Sequence, residues 1–261
     1  ENLGSVTVSQ GSPDVDAPLY NAVGGQITMS EINPSHKAGG YLSLTGGTHS
    51  TNKEFLRLET GEIGHTGIRG FVSCSHMSWN NWRGPGGGTR HHTDAKFIKE
   101  WGDGNSVSAV FGYNATKYTG YLNPTMAAWN KYGRSYNYDG HYTLGDANYY
   151  GLNQTINNAM TVMAPSHFTL SNHLKLNVAP YYVHMFGPSV WGQNISSANS
   201  YFGTGAAGNL NLSNLTSDGM ATTQAVDPRN QKSSVLNTTL VWSTPYNTLT
   251  FGYWYAYTQH D

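Results

Sequence analysis

The sequence has few charged residues and a single cysteine, and each shortage excludes a class of protein. Charged residues make up 11% of the 261, against about 25% in an ordinary soluble domain. The net charge of −1 offers no basic footprint for a nucleic acid, so we expect none as a partner. Cys74 is alone, so the chain cannot hold an internal disulfide framework.

Long apolar stretches are also missing. No run reaches the roughly 18 apolar residues of a transmembrane helix. The first residues, Glu1 to Gly4, lack a basic region followed by an apolar run, so we expect a signal peptide to be absent or already removed. Glycine and tyrosine are abundant instead, at 31 and 18 residues. Secreted β-proteins, fibrous proteins and outer-membrane barrels all share this composition.

The clearest pattern in the sequence is an alternation of apolar and polar residues at 173–186. Leu174, Leu176 and Val178 fall on one face of a strand, and Lys175 and Asn177 on the other. The segment exceeds the usual strand of about 5–6 residues, whereas a tilted strand that crosses a bilayer needs about 9–11. The same alternation predicts about nine long strands in all, at Gly39–Gly46, Asn52–Glu62, Gly67–Trp79, His91–Trp101, Ser106–Asn114, Asn157–Leu170, His173–Phe186, Ser233–Ser243 and Thr248–Thr258.

The connections between these strands are short and long in alternation. Tight turns are predicted between strands two and three, four and five, six and seven, and eight and nine. The connections at 80–90, 115–156 and 187–231 are long. Short turns at one end and long loops at the other are typical of bacterial outer-membrane barrels. A soluble β-protein with core aromatic residues, or a fibrous protein, remains an alternative.

The connection at 115–156 is rich in tyrosine and asparagine. Flat amphipathic side chains are suited to binding a polar-aromatic ligand such as an iron chelate or a sugar. A surface loop that packs on itself is the alternative, because a tyrosine also needs only one hydrogen-bond partner when buried. The candidate ligand-binding residues are Tyr118, Tyr121, Trp129, Tyr132, Tyr136 and Tyr138.

No catalytic or metal-binding motif stands out. His91 and His92 are adjacent on a strand and therefore point to opposite faces, so they cannot chelate an ion together. Asp14 with Asp16, or Glu59 with Glu62, could suggest a pair of acid–base carboxylates, but nothing in the sequence fixes the distance between the two carboxylates of either pair. We expect no enzyme activity, no cofactor and no metal site.

Three segments resemble parts of TonB-dependent outer-membrane receptors. Residues 11–28, with the double glycine Gly24-Gly25, resemble the end of the plug domain. Residues 54–64 followed by 67–71 resemble the second and third barrel strands, and Lys99–Gly104 resembles a periplasmic turn. The resemblance implies an all-β fold, with the end of a plug domain over 1–36 and the first part of an antiparallel transmembrane β-barrel over 37–261.

The same resemblance implies a function in the bacterial outer membrane. Such receptors capture a scarce nutrient, most often an iron–siderophore complex, and the TonB energy-coupling complex then moves the plug. Sugars and cobalamin are further ligands of the family. Membrane lipid and a small molecule are the other implied partners. Six charged residues would face the plug inside the lumen, or solvent in a water-filled interior: Arg57, Glu59, Arg69, Asp94, Lys96 and Glu100.

The sequence also departs from the family. An energy-coupling box and most of the plug are missing, and family barrels have about 22 strands. We therefore expect a fragment or one piece of a larger assembly, with a small complete barrel as the competing interpretation. A passive porin-like or structural barrel and a secreted β-rich binding module are the alternative functions.

Overall fold

The chain is built almost entirely of β-strands. A computed structural model describes residues 1–11, 24–197, 200–202 and 205–260. One helix, α1 (Met126–Tyr132), and one 3-10 turn, Tyr150–Leu152, are described in these ranges. The strands are β1 (Leu3–Gln10), β2 (Gly25–Glu31), β3 (Ala38–Gly47), β4 (Thr51–Glu62), β5 (Ile68–Asn80), β6 (Gly87–Trp101), β7 (Asn105–Tyr118), β8 (Gln154–Met163), β9 (Ser166–Ser171), β10 (Leu174–Phe186), β11 (Ser189–Ser196), β12 (Ser200–Phe202), β13 (Gly205–Gly208), β14 (Met220–Asp227), β15 (Asn230–Ser243) and β16 (Thr248–His260).

Twelve of the described strands form one antiparallel sheet. Three pairs of them, β8 with β9, β10 with β11 and β14 with β15, are collinear, so the twelve strands make nine rows. Each row pairs with the row that follows it in the sequence, from β3 to β16. The topology is therefore an up-and-down meander, and the predicted all-β antiparallel fold with about nine strand rows is confirmed.

The sixth predicted strand is divided at a proline. Pro165 lacks the N–H that a ladder requires, and regular pairing is interrupted there. The register is nevertheless unchanged, since Val110 of β7 pairs with Met163 and Val107 pairs with Ser166. The proline thus interrupts the regular ladder without shifting the alternation of faces.

The prediction of a long loop at 187–231 is wrong, because much of this segment continues the hairpin formed by β10 and β15. Phe186 pairs with Asn230 in β10–β15, and Ser189 pairs with Asp227 in β11–β14, three residues further on both strands. Pro188 and Pro228 cannot donate to the ladder, which accounts for the gap between the two strand pairs. At about 3.3 Å per residue this hairpin is far longer than a membrane crossing requires.

The other connections keep their lengths segregated by end. Long loops occupy 119–153 and the distal part of the β11–β14 hairpin, whereas 63–67, 102–104, 172–173 and 244–247 are short and lie at the opposite end. The connection predicted at 80–90 is only 81–86, because β5 and β6 continue pairing to Asn80 and Gly87. At the long-loop end the first connection, 48–50, is also a tight turn, in which His49 and Ser50 have positive φ.

One face of the meander is apolar and exposed to an extent that a soluble protein does not show. The accessible surface is 16575 Å², against about 11,000 Å² for a soluble monomer of this mass. Leu44 is 72% exposed and Phe251 61%. We call this the apolar face; its exposed members include Leu42, Leu44, Leu56, Leu58, Val72, Phe97, Phe111, Val162, Leu249, Phe251, Tyr253, Tyr255 and Tyr257.

The opposite face, here called the inner face, is polar and carries the small core. Phe55, Phe71, Ile98 and Val110 are buried there, and Phe71 is completely inaccessible. Residues near the chain start cover this face. These four apolar side chains are surrounded by charged residues on the same face. They are therefore shielded from water only by the segment that covers them.

That covering segment is the N-terminal part of the chain. β1 and β2 pair antiparallel in a separate two-stranded sheet. A Cβ on Gly25 would lie 2.8 Å from the Ser9 carbonyl oxygen, and φ is +146°. The backbone of Gly25 therefore lies too close to Ser9 for a side chain to fit. The part of the plug resemblance over 12–23, with Asp14 and Asp16, lies outside the described residues, and the domain boundary at 36/37 remains a prediction.

Candidate functional site

The chain start is held on the inner face by a buried amide. Asn2 donates from Nδ2 to Ser73 Oγ at 2.7 Å and to Asp94 Oδ2 at 2.9 Å. Its Oδ1 accepts from Arg57 Nη1 at 3.3 Å. Asn2, Ser73 and Asp94 are all buried. The amide thus joins three strands of the sheet to β1.

The first residue extends the same network. Glu1 lies 2.9 Å from Lys53 Nζ and 2.8 Å from His92 Nδ1, and it accepts from Ser75 Oγ at 3.0 Å. The hydrogen bond from His92 holds the pKa of the Glu1 carboxyl well below its usual range, with Lys53 and Ser75 acting in the same direction. The other nitrogen of His92 lies 2.9 Å from Asp94 Oδ1.

The link between β2 and β3 is held by cations that bind its carbonyl oxygens. Arg69 donates from Nε to the Pro34 carbonyl at 2.8 Å and from Nη1 to Glu100 at 2.7 Å. Lys96 Nζ donates to the Ile32 carbonyl at 3.2 Å. These bonds fix the backbone that leads from the covering segment into the sheet.

All six charged residues predicted for the lumen lie on the inner face. Besides Arg69, Glu100, Asp94 and Lys96, Glu59 accepts from the Ser35 N–H at 2.9 Å, and Arg57 Nε lies 2.9 Å from Glu59. Whether that face lines a lumen in the complete protein remains a prediction. Sequence reasoning missed Lys53, Ser73, Ser75 and His92, although period two puts them on the same face as Arg57 and Asp94.

One carboxyl of the covering segment has incomplete hydrogen bonding. Glu31 ends β2, and its Oε2 is buried with no hydrogen-bond partner. Burial raises the pKa of Glu31, and the negative charge of Asp94 acts in the same direction. Burial without a partner favours the neutral acid.

The tyrosine-rich loop at 119–153 packs against the connection at 81–86. Arg83 donates to the Leu122 carbonyl at 2.8 Å. Asn137 donates to the Arg83 carbonyl at 2.7 Å and accepts from the Leu122 N–H at 2.8 Å. Asn81 donates to the Thr119 carbonyl at 3.1 Å. Asn81, Arg83 and Asn137 are buried, so the two loops form one ordered cap.

The predicted aromatic residues do not meet in one place. Tyr121 packs on Trp82, with ring centroids 5.8 Å apart, and beside the Arg83 guanidinium at 5.1 Å. Tyr132 stacks on Tyr136 at 4.7 Å, at the end of α1. Helix α1 begins after Thr125, whose hydroxyl accepts from the Ala128 N–H.

The remaining candidates lie apart from these two clusters. Trp129 is in α1 and is 40% exposed. Tyr118 is the last residue of β7 and borders a cleft of about 530 Å³ that Tyr150 and Trp79 also line. Burial raises the pKa of Tyr138. The ligand-binding role of all six residues remains a prediction.

Neither a metal-binding group of three or more ligands nor a membrane-spanning helix occurs in the part of the chain that the structure describes. No group of three or more His, Cys, Asp or Glu side chains there could hold a metal ion. No described helix is long and apolar enough to cross a membrane.

Comparison with known proteins gives a result for structure alone. No protein-family model and no curated protein matches the sequence. The open form of the ferric-catecholate import receptor Fiu from E. coli K12 superposes over 98% of this chain and 39% of its own, with a TM-score of 0.67 and 14% identity. The siderophore receptor PiuA from Acinetobacter baumannii matches 97% of this chain and 34% of its own, with a TM-score of 0.63 and 12% identity. FpvAI, solved in complex with pyocin S2, matches 97% of this chain and 32% of its own, with a TM-score of 0.66 and 13% identity.

The chain has the fold of part of the barrels of these receptors. The chain spans between 32% and 39% of the length of these three receptors, so it has the siderophore-receptor fold over part of a barrel. The predicted resemblance is confirmed at the level of fold, as part of an antiparallel β-barrel. Fiu is an import receptor and PiuA is a siderophore receptor.

Proposed function

We propose that this chain is part of an outer-membrane receptor that imports a ferric siderophore with energy from TonB. The observation that carries the proposal is the superposition of nearly the whole chain on Fiu, at a TM-score of 0.67. The apolar face would contact lipid, as the outward band of a membrane barrel does. The cap formed by the loops at 81–86 and 119–153 would contribute to ligand capture. Import of this kind requires no covalent chemistry.

The contacts of residues 1–36 support the active-transport form of this proposal. The described part of the segment, 1–11 and 24–36, is attached by hydrogen bonds to Arg57, Arg69, Asp94 and Lys96. Polar contacts of this kind exchange readily for water. We propose that 1–36 is the end of a plug that blocks the lumen and is displaced during import.

The test is iron uptake by cells that carry the complete protein as their sole siderophore receptor. Uptake of ⁵⁵Fe should occur with at least one class of ferric siderophore and should be lost when TonB is deleted. Uptake that is indifferent to TonB would instead identify a passive porin-like barrel. No uptake with a catecholate, hydroxamate or mixed siderophore would contradict an iron ligand.

The stacked pair Tyr132 and Tyr136 provides a site-level test. The double alanine variant should weaken siderophore binding, measured by equilibrium binding to purified protein. Tyr246→Ala is the matched control, because Tyr246 is 91% exposed in the 244–247 turn at the opposite end. Equal binding by both variants would show that the stacked pair is not part of the ligand site.

A further inference from the structure

His76 and His91 form a pair on the apolar face, away from every site described above. They lie directly opposite each other in β5 and β6. Their Nδ1 atoms are 3.3 Å apart, and their ring centroids are 4.4 Å apart. His92, the sequence neighbour of His91, points to the inner face and binds Glu1. The pairing therefore joins two histidines that are distant in sequence.

The separation of the two nitrogens matches that of a chelating pair. A tetrahedral zinc ion with Zn–N bonds of 2.0–2.1 Å holds two ligand nitrogens about 3.3 Å apart. The ring planes are inclined by 38°, and rotation about the soft χ2 torsion can direct both lone pairs at one ion. Imidazole is a preferred ligand of Zn²⁺, Cu²⁺ and Ni²⁺.

The surroundings of the pair are accessible and carry one charge of each sign, the carboxylate of Glu54 and the ammonium of Lys117, which pairs with Thr89. Cys74 and Thr93 follow on this face toward the short turns, and Ser78 and Thr89 toward the long-loop end. The pair thus lies where the apolar face becomes polar. Glu54, which is exposed, pairs with His76 from β4 on the same face. Its carboxylate favours a cation at the histidines.

We propose that His76 and His91 form an outward-facing, two-histidine site for a divalent transition-metal ion. The two imidazoles supply two ligands, and water completes the coordination, since the described residues offer no group of three ligands. The site depends only on the pairing of β5 with β6, which is continuous over thirteen residue pairs from Ile68↔Lys99 to Asn80↔Gly87. It therefore does not depend on the rest of a barrel.

The experiment is a Zn²⁺ titration of the complete protein, purified in detergent, by isothermal calorimetry at pH 7.5. The wild type should show a site that His76→Ala and His91→Ala each remove. His65→Ala is the matched control, because His65 lies in the exposed 63–67 turn and its loss should leave that site intact.

A second measurement distinguishes loss of the site from loss of the fold. Cu²⁺ bound to wild-type protein should give an electron paramagnetic resonance spectrum with coupling to two nitrogens, and each single variant should lose it. Heat-modifiable migration on gels checks that every variant is still a folded barrel. The proposal would be overturned if the wild type bound no Zn²⁺, or if a protein with both His76→Ala and His91→Ala bound Zn²⁺ as the wild type does. Variants that lose stability without a change in the calorimetric isotherm would also overturn it.

Discussion

At the scale of single residues, Arg69 attaches the covering segment to the sheet through the Pro34 carbonyl. Replacing it with alanine removes the bonds to Pro34 and Glu100 and leaves the Pro34 carbonyl without its donor. A hydrogen bond to a charged group contributes about 1.5–3 kcal/mol, and we discount the ion pair because 43% of the Glu100 side chain is exposed. We expect R69A to weaken the attachment of residues 32–36 by about 2 kcal/mol, measured as faster amide exchange over 24–36.

The matched control for R69A is Lys99→Ala, which removes an exposed cation from β6. It should leave exchange over 24–36 unchanged. Equal protection in R69A and wild type would show that the bond to Pro34 does not hold the segment.

Glu31 makes the attachment of the covering segment depend on pH. Its pKa is raised by burial, so the folded state takes up a proton more readily than the detached segment does. The stabilising effect of protonation is present at low pH and is lost as the pH rises above about 4.3 and through the raised pKa. We expect amide protection of 25–31 to fall over that range in the wild type. The Glu31→Gln variant, which is neutral throughout, should lack this fall and be better protected at pH 7.

At the scale of elements, the close pairing of β5 and β6 requires glycine at one position. A Cβ on Gly87 would lie 2.1 Å from the Trp79 carbonyl oxygen, and a backbone atom cannot move aside as a flexible side chain can. We expect Gly87→Ala to destabilise the barrel by about 1–3 kcal/mol, the usual cost of overpacking, measured by urea unfolding in detergent. Gly39→Ala is the control, because nothing lies within 4 Å of its added Cβ. A Gly87→Ala protein as stable as the control would contradict the observed strand separation.

The collinear strands show why element lengths were only partly predictable. Period two identified the two faces of most rows, because an exposed or buried side recurs at every second residue, but it assigned no faces to the less regular sixth strand at 157–170. Prolines at 165, 188 and 228 interrupt the ladder but not the register, and a local pattern cannot distinguish these two outcomes. The same reasoning underestimated β6 and β7, whose glycine, asparagine and threonine ends resemble loop sequences but still pair.

At the scale of the whole molecule, Cys74 reports on what covers the apolar face. It is the only cysteine in the sequence, is exposed and alternates with the inner-face residues Ser73 and Ser75. In outer membranes we expect it to react with an apolar maleimide but not with a charged, membrane-impermeant one. The control is Ser75→Cys in a Cys74→Ser background, where the inner face should protect the thiol from the apolar reagent. Reaction of Cys74 with the charged reagent would place water, not lipid, on this face.

The sequence by itself determined the class of fold, the composition of the two faces and the segregation of short and long connections. These features follow from side-chain alternation and turn residues, which act within a few positions of the chain. The tertiary structure decided the rest: the extension of the 174–243 hairpin, the contacts of Asn2 and Glu1 with the inner face, and the partner of His91. Strand register and the placement of residues 1–11 and 24–36 depend on groups dozens of residues apart, and no local pattern records which of them meet.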